Sequence, residues 1–424
     1  MPDPSFYRPS HSEFGHIDAD VQQRLVTVVA GDGARSRGVL YLPPGKQPST
    51  VVVRTHPSGD LPQHWAAPYW VGGGYAFMSF STRYVNNYTS CVHERIVLDV
   101  AGLMKFLKQE MGFEHVVFHG QSGGAACLSF YQAEATTPVG SRLTSPPAGG
   151  PPDLNEYELP PADALVLVAG HPGQGKFLQG VIDPSVVDES DALSLDPDLD
   201  MYDERNGWRL PPEPSKYSLA WLEQYRAGQA ARVRRIDSMA REAIESRATA
   251  ASLLGAAGFE TLDDRRRRQL ERRAHVERVM IVHRTEANPA YTDLTIDPSG
   301  RNYGSILGDR PDLQNYGSTG FGKIVSAEAW LSTWSGHSAN ASLELNLPKI
   351  AEPTLFVFPT ADQDIYPPAF ERQLEQSTAP DRQAFWLEGV DHYFRPGGVK
   401  PYPGDVRADA MDRIIAWTRD RFAA

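Results

Sequence analysis

Residues 120–124 read Gly-Gln-Ser-Gly-Gly, a single hydroxyl framed by glycines. A serine is a weak nucleophile at its own pKa; it needs a base within reach, and the base needs a group to orient it. His392, in the stretch EGVDHYF, is the candidate base. For the orienting acid, Asp362 in FPTADQDIYPP is the first choice and Asp364 the second, while Asp391 directly precedes the histidine. The chain order Ser122, Asp362, His392 is the order expected when the nucleophile sits on a sharp elbow between a strand and a helix. Taken alone, residues 120–124 also read as an ordinary glycine-rich loop.

Attack on a carbonyl puts negative charge on its oxygen, and two backbone N–H donors must meet that charge. Gly123, the residue after the nucleophile, is one candidate. The other is expected from THPSGD (55–60). Pro57 has no N–H, so Ser58 is the candidate and Gly59 the fallback; the alternative is that 56–59 is simply a tight turn. His171, in AGHPGQG, is a candidate substrate contact or else a turn-capping histidine. Arg83, at the head of RYVNN, is a candidate lining residue, against a loop held by its own side-chain hydrogen bonds. Trp330 and Trp334 lie four apart and would form an apolar wall on the pocket, with core packing the equal alternative.

Such residues need elements to hold them. Apolar, β-branched runs at 24–29, 38–42, 51–56, 75–82, 115–119, 164–170, 354–359 and 384–389 read as strands, with helical periods at 61–74, 92–112, 123–135, 367–377 and 411–422. Strand and helix in alternation predict an α/β fold with a mostly parallel sheet flanked by helices. Ser122, Asp362 and His392 each fall just past the end of a predicted strand, on the edge where open parallel sheets bind ligands. A Pro/Gly-rich surface loop is expected over 144–163. Alternation breaks after residue 171, where long polar helices such as 216–248 appear. The expectation is a large, mainly helical cap over 172–345, inserted before the last two core strands, with the core divided into 1–171 and 346–424.

The net charge of −12 disfavours nucleic acid and anionic membranes as partners. Two cysteines, Cys91 and Cys127, give neither a disulfide framework nor a zinc set. No run of about 18 apolar residues is present, and the N-terminal MPDPSFYRPSHSEFGH lacks a signal pattern, so a cytoplasmic protein is expected. DPDLDMYD (196–203) departs from a calcium loop, with Met201 and Gly207 where Gly and Glu are required. DDRRRRQLERR (263–273) reads as a solvated helix rather than a nucleic-acid patch. Neither a dinucleotide-binding glycine fingerprint nor a P-loop occurs.

On GQSGG, TADQDIYP and GVDHYF, the chain resembles a serine hydrolase of the α/β-hydrolase superfamily, over about residues 20–171 and 346–424. It is also similar to a group of bacterial proteins of that fold carrying RYVNN, DPSVVDE, MYD and AWLSTWSG-like segments. One departure is Pro359, where glycine is frequent before the acid loop. The resemblance implies a hydrolase without a cofactor whose first-choice substrate is a small-molecule carboxylic ester, medium-sized and partly apolar. Amide, lactone, thioester and carbon–carbon bond hydrolysis are alternatives on the same residues. A non-catalytic binding protein of the same fold is the alternative of another class.

Overall fold

The computed structural model describes residues 16–60, 64–256, 259–318, 320–399 and 402–424. Most of the N-terminal stretch that bears on a signal pattern, and residues 61–63 of the expected 61–74 helix, lie outside them. In chain order the strands are β1 (Gln22–Val29), β2 (Arg35–Leu42), β3 (Thr50–His56), β4 (Ala76–Ser81), β5 (His115–Gln121), β6 (Ala164–Val168), β7 (Val279–Ile281), β8 (Ile324–Ser326), β9 (Thr354–Pro359) and β10 (Arg382–Leu387). Eight of them form one sheet in the order β1-β2-β4-β3-β5-β6-β9-β10, while β7 and β8 pair separately. In the larger sheet β2 runs antiparallel to both β1 and β4, while β4, β3, β5, β6, β9 and β10 are parallel; β7 and β8 pair antiparallel.

Burial on both faces explains the continuous apolar runs. Val51 and Val53 face one side of the sheet with Phe118, Leu167 and Phe356, under the helices His93–Lys105 and Gly123–Thr136. Val52 faces the other side with Val117, Val166 and Val357, against Trp70 and Ile414. Successive side chains of a strand point to opposite faces, so a strand covered twice must be apolar at every position.

Strand order creates the crevice. After β3 the chain moves outward to β4, then returns to place β5 on the opposite side of β3. At such a reversal the loops leaving the two carboxyl ends part and leave a gap for ligand. Ser122 leaves β5 at this point, and His56 ends β3 beside it.

Residues between β6 and β9 include helices Gln174–Val181, Leu219–Leu254 and Asp264–His275, with long irregular stretches. The 36-residue helix Leu219–Leu254 begins where Ser218 accepts a hydrogen bond from Trp221 N, an N-cap. Its buried residues, Tyr225, Gln229, Arg232, Val233, Ile236 and Ala240, follow the helical period. Val233, Ile236, Trp330 and Trp334 belong to the same apolar cluster as Val51 and Phe118 of the sheet. Asp264–His275 has no buried residue, as a solvated helix should. The aspartates of 196–203 cap nearby backbone amides, Asp196 taking Asp198 N and Asp200 taking Tyr202 N. No helix among the described residues is long and apolar enough to cross a membrane.

Candidate active site

Ser122 is the hinge between β5 and the helix Gly123–Thr136, with φ +55° and ψ −126°. Positive φ is rare for a residue with a side chain. Two backbone bonds hold it: Ser122 N donates to Val168 O at 3.0 Å, and Ala125 N donates to Ser122 O at 3.0 Å. The turn also needs the helix to lie almost on β3. A Cβ on Gly124 would stand 2.3 Å from the Thr55 carbonyl oxygen, so only glycine lets the backbones approach this closely.

His392 Nε2 is 2.9 Å from Ser122 Oγ, and its Nδ1 is 2.6 Å from Asp362 Oδ2. The other oxygen of Asp362 accepts the backbone N–H groups of Asp364 and Ile365 at 2.9 and 3.0 Å. That carboxylate is therefore fixed at both ends, and the imidazole with it. Pro359 ends β9 without disturbing the loop: Thr360 N and Ala361 N bond to Leu387 O and Val390 O. Asp391 is engaged elsewhere, with Arg395 at 2.7 Å. Asp364 is buried beside the Tyr291 hydroxyl and the Ile306 amide.

Burial pushes the His392 pKa down, but the charge and hydrogen bond of Asp362 outweigh it and leave the pKa above the ordinary value. Asp364 is pushed up to about 7, first by burial and then by the negative charge of Asp362. The two carboxyls of one loop thus differ in partner: one holds His392, and the other faces Tyr291.

Gly123 opens the helix, so its N–H has no partner within the helix and points with the positive end of the dipole. In the β3 loop, Gly59 N donates to His56 Nδ1 at 3.2 Å, so the fallback donor is engaged within its own loop. The Ser58 carbonyl accepts Asn86 N at 2.8 Å, which anchors the loop.

No protein-family model matches the chain, and no curated protein matches it by sequence. Solved structures do match. The α/β-hydrolase GrgF from Penicillium sp. sh18 aligns over 95% of this chain and 99% of its own, with a TM-score of 0.50 and 11% identity. The chain is an α/β-hydrolase-fold protein. Brefeldin A esterase, a bacterial homologue of human hormone sensitive lipase, aligns over 98% of this chain and 81% of its own (TM-score 0.47, 11% identity). EstE1, a thermostable carboxylesterase from a metagenomic library, aligns over 94% and 88% (TM-score 0.44, 11% identity).

Within this α/β-hydrolase-fold protein the remaining expected residues part company. His171 caps its own turn, its Nδ1 accepting Gly173 N at 3.0 Å, while its Nε2 stands 3.0 Å from where a Cβ on Gly123 would lie. Arg83 does not line the crevice. Its guanidinium is spent on Asp32 at 2.5 Å and Asp99 at 2.7 Å, so the RYVNN segment is a loop held by side-chain bonds. Trp330 and Trp334 are not a pocket wall either. Trp330 is 0% exposed and donates through Nε1 to Asp237 at 2.7 Å. Trp334 is interior as well and packs edge-on against Tyr88 at 4.9 Å. It is Tyr88 that faces the site, its ring 6.3 Å from His56.

Sequence reasoning also missed Gln174 and the side chain of His56, both of which crowd Gly123. A signal existed. His-Pro follows β3 at 56–57 and β6 at 171–172, and these are the two strands that flank β5.

Proposed function

We propose that this protein is a serine hydrolase that cleaves a carboxylic ester of a medium-sized, partly apolar substrate through an acyl-enzyme. One observation carries the reading: the continuous chain of hydrogen bonds from Ser122 Oγ through His392 to Asp362, at 2.9 and 2.6 Å. Ser122 Oγ bonds to the acyl carbon as its proton passes to His392 Nε2, and the carbonyl π pair moves onto oxygen. Gly123 N–H and Ser58 N–H receive that charge. As the carbonyl re-forms, the bond to the leaving alkoxide breaks and His392 returns the proton to it. Water then repeats the sequence on the acyl-enzyme and releases the acid. Asp362 holds the imidazole in place and stabilises the imidazolium.

A fluorophosphonate probe tests the proposal. It is expected to label wild-type protein at Ser122 and to leave Ser122→Ala unlabelled. A folded wild-type protein that takes no label, and turns over no member of an ester panel, would overturn it.

A further inference from the structure

His56, His171 and Gln174 converge on the first residue of the elbow helix. A Cβ built on Gly123 would lie 2.6 Å from Gln174 Nε2, 2.9 Å from His56 Nε2 and 3.0 Å from His171 Nε2. No side chain fits there, and three nitrogens, from the end of β3, the loop after β6 and the following helix, close on the backbone beside the nucleophile.

Their hydrogen-bonding sense is fixed. His56 Nδ1 accepts Gly59 N, and His171 Nδ1 accepts Gly173 N. A neutral imidazole whose Nδ1 accepts must carry its proton on Nε2. Both rings stay neutral, because burial first, and neighbouring positive groups second, hold each at about 3. Gln174 is 3% exposed, and neither end of its amide makes a hydrogen bond of ordinary length, with the Tyr88 hydroxyl as a polar neighbour. A buried polar group left open in this way costs free energy unless a ligand closes it.

The donors lie with Gly123, on the oxyanion side of Ser122. The leaving group must lie near His392 Nε2, from which it takes its proton, so the niche meets the acyl half. Gly123 N–H and Ser58 N–H already serve the oxyanion. One oxygen cannot accept five donors, so the surplus calls for a second acceptor. Neutral N–H groups suit an uncharged oxygen better than a carboxylate, which would be buried without a counter-charge.

We propose that His56, His171 and Gln174 form a specificity niche for a second, uncharged oxygen on the acyl group, a carbonyl or hydroxyl at C2 or C3. This rests on the hydrolase reading above for the orientation of the substrate, and it narrows the substrate class to oxygenated acyl esters.

Ser122→Ala protein is titrated with ethyl butanoate, ethyl 3-oxobutanoate and ethyl 2-hydroxybutanoate, and wild-type turnover is measured on the same three. At least one oxygenated ester is expected to bind, and to react in kcat/KM, about tenfold better than the plain ester, the worth of one good hydrogen bond. His171→Phe keeps the stacking on Phe177, and Gln174→Met keeps the volume; in each, that ratio is expected to fall to near one. Equal binding of all three esters by Ser122→Ala overturns the niche, as does a preference that survives both substitutions. Failure of the hydrolase reading looks different: wild-type protein takes no fluorophosphonate and hydrolyses no ester, yet the binding comparison still decides the niche.

Discussion

Ser122 holds a backbone conformation that costs about 1–3 kcal/mol, and the surrounding packing has to maintain it. The return is a hydroxyl lifted off the sheet edge to within 2.9 Å of His392. Ser122→Ala and His392→Ala are each expected to cut ester turnover by about 10⁴ or more with the fold intact, because the members act as a unit. A variant that keeps a tenth of wild-type kcat would remove its residue from the mechanism. The acid shows itself through pH. His392 must be unprotonated to act, and its raised pKa places the acid limb of kcat/KM above the ordinary imidazole value of about 6.5. Asp362→Asn removes the cause, so the limb should shift to lower pH while the rate falls far more than in Asp364→Asn. Asp364 acts on stability instead. Its folded pKa, about 7, exceeds that of a free carboxyl, so the native state holds the proton more tightly than the unfolded chain. Stability from this group is complete below the free-carboxyl pKa and is lost as pH rises toward and through 7. Asp364→Asn should therefore melt above wild type at pH 8, and that advantage should vanish at pH 4. A constant offset across the range would exclude this account.

At the scale of elements, the long helix Leu219–Leu254 shows how polar residues can form a buried stripe. Gln229 donates to Gly180 O and Ile182 O, and Arg232 donates to Asp183 O and His283 O while pairing with Glu189. These side chains satisfy carbonyls at the end of the helix Gln174–Val181 and in the irregular backbone beyond it. One turn later Asp237 accepts the Trp330 indole, tying the helix to the tryptophan segment. Trp330→Ala is expected to cost about 3–5 kcal/mol of stability, as a large buried aromatic does, and to leave the order of preferred esters unchanged. Melting and substrate profiles on the same variant check this. A shifted profile with little loss of stability would return Trp330 to the pocket.

For the whole molecule, the segment between β6 and β9 shares the hydrophobic cluster of one sheet face instead of building a large core of its own. Its own separate cluster is small, centred on Met201, Tyr217, Tyr225 and Ala287. Unfolding that segment would expose Leu178 and Trp334 together with their partners on the sheet side. Calorimetry is accordingly expected to show one cooperative transition, with van't Hoff and calorimetric enthalpies equal. Two resolved transitions would mean that the segment folds independently.

Much of this was legible in the chain itself. Runs such as VVVRTH and ALVLVAG could only be strands covered on both faces, and the glycines around Ser122 marked a turn against a close-packed helix. The order of Ser122, Asp362 and His392 at strand ends pointed to a shared edge. Those features are local, and local periodicity reports local burial. What the tertiary structure decided were the choices between neighbours. Asp362 and Asp364 stand two residues apart in one loop, and only the contact between Asp362 Oδ2 and His392 Nδ1 shows which carboxylate reaches the histidine. Arg83 and the two tryptophans have the composition of a site, yet their partners, Asp32, Asp99, Asp237 and Tyr88, come from other parts of the chain. The polar stripe of Leu219–Leu254 reads in sequence only as polar because many of its partners are backbone carbonyls, which no sequence pattern displays. His56 and His171 are separated by more than a hundred residues. They meet at Gly123 because the sheet places β3 and β6 on either side of β5, and strand order is a property of the fold as a whole.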